Sequence, residues 1–148
     1  MKKYYVIVDI DGTVANCQHR VKHIEGDKKD WDKFYEEAVN DEPYENVVEL
    51  VNLLSAKYSI VFCTGRPNEY RDDTLAWLKK HFKLGFFDCL LMREDGDYRP
   101  DYEIKPELLD YDGIELDEIL LVLEDRDSVV KAWRDLGLTC LQPRLGKF

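Results

Sequence analysis

The chain lacks any long apolar run. The stretch behind Lys2 and Lys3 lasts only from Tyr4 to Val8 before Asp9 interrupts it. That is too short for a membrane span or for the apolar segment of a secretory signal. A soluble, cytoplasmic protein with no membrane partner is the expectation. Cysteines are few and scattered: Cys17, Cys63, Cys89 and Cys140 form no C-x-x-C pair, which argues against a zinc or disulfide framework. The last three fall in or beside apolar runs, where cysteine serves as a small buried hydrophobe. Positive charge is also short, since 21 Lys and Arg face 31 Asp and Glu, a net charge of −10 with no basic block. Such a field repels phosphates and argues against tracking along a duplex, although gripping one terminal phosphate needs only a few local cations and a metal. Glycine and proline number 8 and 5, and no repeat or low-complexity tract is present, so the 148 residues read as a single domain with one substantial core. His19 and His23 stand four apart without a third ligand of suitable spacing, and a solvated loop is expected there.

What the chain does have is a regular alternation of apolar strands with amphipathic helices. Strands are expected over 4–10, 59–63, 87–92, 118–124 and 138–142. Helices are expected over 43–58, with Val47, Val51, Leu54 and Tyr58 on one face, and over 69–82, with Leu75, Leu78 and Phe82 aligned. A short helix over 102–111 admits Pro106 only near its start. The last helix, 126–138, aligns Val129, Val130, Trp133 and Leu136. Near-continuous apolar strands separated by helices predict an α/β fold with a parallel sheet covered on both faces. Residues 14–43 interrupt that pattern as a small lid or flap within the single domain 1–148. Inside them "DWDKFYEEAV" can form one amphipathic helix that clusters Trp31, Phe34, Tyr35 and Ala38; plain edge packing is its alternative role.

In parallel sheets ligands bind beyond the carboxyl ends of the strands. "DIDGT" after the first strand, "TGR" after the second and "EDRD" after the fourth therefore converge on one edge. Asp9 and Asp11 can share the work of phosphoryl transfer, the first as nucleophile and the second as acid, then base. Gly12 supplies the turn that would aim both side chains the same way. The alternative is a turn whose aspartates bond local amides. Thr64 offers a hydroxyl to a phosphoryl oxygen, with the amides of Gly65 and Arg66 beside it. Lys105 can neutralise an attacking carboxylate and a phosphate together. Glu124 and Asp125 are hard oxygen ligands suited to Mg²⁺.

These four motifs, in this order and across nearly the whole chain, resemble those of the haloacid dehalogenase superfamily of phosphohydrolases. The resemblance implies a three-layer, Rossmann-like parallel sheet of the haloacid dehalogenase type with the small insertion after strand one. An acid at Asp11 points within that superfamily to phosphate ester hydrolysis. More narrowly, the chain is similar to the 3′-phosphatase domain of the bacteriophage polynucleotide kinase/phosphatase. Matching positions are Arg20, nine residues after the second aspartate, Arg66 in "TGR", Asp101 four before Lys105, and Glu124, Asp125 and Arg126 in the last motif. Glu124 stands where that family has aspartate. No G-x-x-x-x-G-K-[ST] loop is present, so no kinase domain is expected in this chain.

The resemblance implies an Mg²⁺-dependent phosphomonoesterase for nucleic acid end repair. It would remove 3′-phosphates from DNA or RNA ends or from nucleoside 3′-monophosphates. Asp9, Asp11, Thr64 and Lys105 would be catalytic. Arg20, Gly65, Arg66, Asp101 and Arg126 would bind substrate. The metal would take Asp9, Asp125 and the Asp11 carbonyl, with Glu124 bonding metal-bound water. Alternatives are a 5′-nucleotidase or other small-molecule phosphatase on the same scaffold, and a phosphate-end binding protein without turnover. Arg20 and Arg66 could instead be surface ion pairs, Arg126 could pair with a neighbouring aspartate, and Asp101 could cap the helix of Lys105.

Overall fold

Three consecutive apolar residues, Val6, Ile7 and Val8, can all be buried only where a strand is covered on both faces. The computed structural model, which describes residues 4–146, provides that cover. Along the chain come β1 (Tyr5–Val8), β2 (Ala15–Asn16), α1 (Trp31–Glu36), β3 (Glu42–Pro43), α2 (Glu45–Ser55) and β4 (Ser59–Pro67). Then follow α3 (Arg71–His81), β5 (Phe87–Arg93), α4 (Asp101–Tyr111), β6 (Ile119–Leu123), α5 (Asp127–Asp135) and β7 (Cys140–Leu141). Five strands form one parallel sheet in the order β5-β4-β1-β6-β7, while β2 and β3 pair antiparallel at the base of the insertion.

β1 runs through the middle, with Val8 opposite Phe62 on one side and Leu123 on the other. Side chains alternate across a strand. Val6 and Val8 therefore join Ile60 and Phe62 on one face, against Val51 of α2 and Trp77 and Leu78 of α3. Ile7 joins Val61 and Val122 on the other, against Leu109 of α4 and Val129, Val130 and Trp133 of α5. The outcome is three layers, helices over a parallel sheet over helices. No described helix is long and apolar enough to cross a membrane. All four cysteines are free thiols, and Cys89 alone is not buried.

Several local expectations are corrected. β4 does not stop at Cys63 but carries Thr64, Gly65 and Arg66 within it, with an irregular register against β5 between Thr64 and Pro67. Pro106 sits in the middle of α4. It removes one hydrogen bond to the Tyr102 carbonyl, tolerable because Tyr102 is exposed. The helix expected over "DWDKFYEEAV" ends at Glu36 and tightens into a 3-10 turn over Glu37–Asn40. His19 and His23 lie on a 3-10 helix (Gln18–Ile24) and not in a loop, their Nε2 atoms 2.7 Å from Asp41 and 2.8 Å from Glu37. An acid partner for each histidine replaces the solvated loop.

Phe62 is fully buried at the sheet centre, edge-on to Phe82 with ring centroids 5.2 Å apart. Phe62→Ala is expected to lower stability by about 3–5 kcal/mol, read as a shift of the urea unfolding midpoint.

Candidate active site

Parallel pairing brings the carboxyl ends of β1, β4 and β6 to one edge of the sheet. The Asp9 N–H still donates to the Leu123 carbonyl at 3.0 Å, so Asp9 leaves β1 in line. The chain then turns sharply. The amides of Thr13, Val14 and Ala15 all donate to the Ile10 carbonyl, and Gly12 takes φ +84°, a conformation open to glycine at little cost. Asp9, Asp11, Thr64, Lys105, Glu124 and Asp125 consequently line a single cavity of 340 Å³.

Lys105 anchors the floor. Its Nζ donates to Asp9 at 2.8 Å and to Glu124 at 2.6 Å, and the side chain is almost fully buried. Burial alone would push the ammonium down, but Asp9 and Glu124 overcome it and hold the group well above its ordinary value. The other Glu124 oxygen accepts the amides of Asp125 and Arg126, so this glutamate both clamps the lysine and shapes the turn after β6. Thr13 donates its hydroxyl proton to Asp9 at 2.7 Å, leaving only a 3.3 Å contact to Asp125.

Oxygens of Asp9, Glu124 and Asp125 all lie within 4.8 Å of one another. Burial, with Asp9 alongside, pushes the Glu124 carboxyl up to about 8 and the Asp125 carboxyl up to about 10. Crowded oxygen donors that resist ionisation together are the donor set a hard divalent cation relieves, so these residues fit one.

Asp11 is held differently. Arg66 reaches it through Nε at 3.1 Å and Nη2 at 2.7 Å, and Arg20 Nη2 bonds the same carboxylate. Burial opposes ionisation here too, but the two guanidiniums prevail and keep the carboxyl well below the usual range. Neither arginine is on the surface. Arg20 is fully buried, also binding Asp41 at 2.8 and 2.6 Å and the Phe34 carbonyl at 3.0 Å, with its guanidinium stacked over the Phe34 ring. The expected substrate arginines are thus engaged with Asp11, while Gly65, Asp101 and Arg126 line the cavity.

Asp101 does not cap α4; that position is Pro100, and Asp101 occupies the first turn. Its carboxylate accepts from Arg93 and, at 3.1 Å, from Arg126. Arg93 also donates to the carbonyls of Gly65, Asp97 and Arg99, pinning the loop before α4 to the end of β4. A Cβ on Gly65 would fall 2.4 Å from an Asp101 oxygen, so only glycine permits this approach.

Compared with known proteins, residues 3–148 match the family model described as the polynucleotide kinase PNKP phosphatase domain. The chain belongs to that family. Two solved structures of a Pnkp1/Rnl/Hen1 RNA repair complex contain a similar chain at 31% identity, with TM-scores of 0.82 and 0.81 over 99% and 100% of this sequence. A protein of Autographa californica nuclear polyhedrosis virus, carrying the name of a bifunctional polynucleotide kinase/RNA ligase, is 29% identical over 135 residues, 90% of this chain. This sequence spans 44% and 48% of the solved relatives and 18% of the viral one. A haloacid dehalogenase-like hydrolase from Streptococcus pneumoniae shares the fold, with a TM-score of 0.65 at 11% identity.

Within this PNKP-type phosphatase domain, four contributors escape the sequence reading. Thr13 was visible inside "DIDGT" but unassigned. Arg93 sits at the carboxyl end of β5, an edge position that parallel topology alone flags. Asp41 carries no local signal, because the insertion folds back to bring it onto Arg20. Arg144 donates to the carbonyls of Gly12 at 3.0 Å and Thr13 at 3.3 Å while covering the Tyr44 ring at 3.2 Å. Nothing near Arg144 in the chain announces it.

Arg20→Ala leaves the buried Asp11 and Asp41 to share Arg66, 2.7 and 3.6 Å away, and is expected to cost about 3–5 kcal/mol in chemical unfolding. Gly65→Ala should leave the fold intact yet displace Asp101, lowering phosphatase activity by about tenfold or more through misplacement of groups around the phosphate.

Proposed function

We propose that the domain hydrolyses phosphate monoesters through a phosphoryl-Asp9 intermediate. Its substrates would be 3′-phosphorylated DNA or RNA ends or nucleoside 3′-monophosphates. One observation carries the chemistry: the Asp9 carboxylate sits on the cavity floor, bound by Lys105 at 2.8 Å and Thr13 at 2.7 Å, with a second acid two residues on. Membership of the PNKP phosphatase family, together with relatives solved in an RNA repair complex, supports the 3′-phosphate as the group removed. The net charge of −10 favours mononucleotides and short ends over extended duplex.

An Asp9 oxygen attacks phosphorus, and the bond from phosphorus to the sugar oxygen breaks as that oxygen takes a proton from Asp11. Water then attacks the phosphoryl group and yields a proton to Asp11. The bond to Asp9 breaks, phosphate departs, and both acids are restored. Arg20 and Arg66 fix the orientation of Asp11 through hydrogen bonds to its carboxylate. Lys105 offsets the repulsion between Asp9 and the phosphate, and Glu124 keeps that lysine in place. Thr64 and the Gly65 amide receive phosphoryl oxygens, and Arg126, braced by Asp101, faces the same space. Asp9, Asp125 and the Asp11 carbonyl would hold Mg²⁺, which when bound supplies positive charge against the phosphate.

Asp9→Asn is expected to lower kcat by about 10⁴-fold or more without unfolding the protein. A phosphate-release screen should show turnover of 3′-dTMP and a 3′-phosphorylated oligonucleotide above that of 5′-dTMP, and only with Mg²⁺ present. Greater turnover of the 5′ isomer would replace the reading with a 5′-nucleotidase, and tight 3′-phosphate binding without release would replace it with a binding protein.

A further inference from the structure

The cavity is far larger than a phosphoryl group, and its walls are not uniform. Beyond the charged floor the insertion contributes Trp31, Phe34 and Tyr35, and the loop before α4 contributes Tyr98. The three insertion aromatics have different duties. Phe34 is 1% exposed and forms a small core with Cys17 and Ile24. Tyr35 is half-buried, stacked on Trp31 with ring centroids 5.9 Å apart and tilted against Tyr70 at 5.3 Å. Trp31 remains 38% exposed although Phe34, set perpendicular to it with centroids 5.6 Å apart, already fills the interior. Packing does not require an indole there. Tyr98 is 93% exposed and lines the same cavity.

An exposed indole that stacks on Tyr35, carries the Lys29 ammonium 5.9 Å over its ring and lines the same cavity as Asp9 and Lys105 is suited to a flat, polarisable leaving group. We propose that the Trp31–Tyr35 stack is a nucleobase subsite: the base of the nucleotide whose phosphate meets Asp9 stacks on Trp31, and this contact selects nucleotides over phosphorylated sugars. The inference rests on the phosphatase reading above but not on which hydroxyl carries the phosphate. Stacking tolerates any base, because each presents a π-face, so the subsite discriminates base from no base and not one base from another. The grip works on substrate binding more than on the chemical step, since the base lies away from the reacting bonds.

The test compares wild type, Trp31→Ala and Trp31→Phe on two substrate pairs: 3′-dTMP with 2-deoxyribose 3-phosphate, and 5′-dTMP with 2-deoxyribose 5-phosphate. Thermal unfolding of each variant is recorded alongside. The expected result is that Trp31→Ala raises KM for the preferred nucleotide about tenfold, leaves KM for its base-free partner unchanged, and alters kcat little. Trp31→Phe should restore most of the difference. An equal loss on the nucleotide and its base-free partner, or no loss on either, overturns the subsite. The wild-type preference between the 3′ and 5′ pairs separately tests the earlier reading, so a switch of isomer would refute that reading while the base dependence is still measured within the favoured pair.

Discussion

A single buried ammonium holds the active edge together. Lys105 lies between Asp9 and Glu124 at hydrogen-bonding distance from both, in a place where none of the three could stay charged alone. Its presence explains much of the architecture. α4 delivers the lysine from beneath the sheet, and Glu124 ends β6 where it can meet that lysine. The long glutamate side chain also turns back to accept two backbone amides, so the loop bearing Asp125 is set by the same group. Glutamate in place of a shorter acid is therefore a workable solution at this position: the added methylene lets one carboxylate serve the lysine and the turn together.

A second, separate set of charges governs Asp11. Arg20, Arg66, Asp11 and Asp41 form a buried network of alternating sign, and two of its members come from the insertion. The insertion accordingly supplies half of the charged network around Asp11 and is not an ornament on the rim. Through Arg20 it bonds the second acid, which Lys105 does not contact. The two aspartates of one short turn thus live in different electrostatic surroundings, one beside a lysine and two acids, the other between two guanidiniums.

Much of this was legible in the sequence. The parallel three-layer fold follows from apolar runs such as Val6–Val8 alternating with helices, and the edge of the sheet follows from that topology. Asp9, Asp11 and Asp125 are legible as charges that close apolar strands and Lys105 as a cation on a short helix, and the structure gathers all four along one cavity. What could not be read was orientation. Arg20 and Arg66 were expected to reach substrate, yet sequence spacing does not say whether a guanidinium turns toward solvent or toward a neighbouring carboxylate. Asp41 and Arg144 lie in segments without periodicity, and their partners are fixed only by long-range packing. β4 running past Cys63 and Pro106 sitting mid-helix show tertiary contacts overriding local preference.

The ion pair between Lys105 and Asp9 joins residues 96 apart in the chain. A polypeptide made from its amino end exposes the acidic tip of its central strand long before the compensating cation exists. Until then, burying that tip is unfavourable, and the middle of the sheet has reason to stay loosely formed. The charged edge of the sheet can thus be completed only after α4 has docked, so it forms together with the core and not ahead of it.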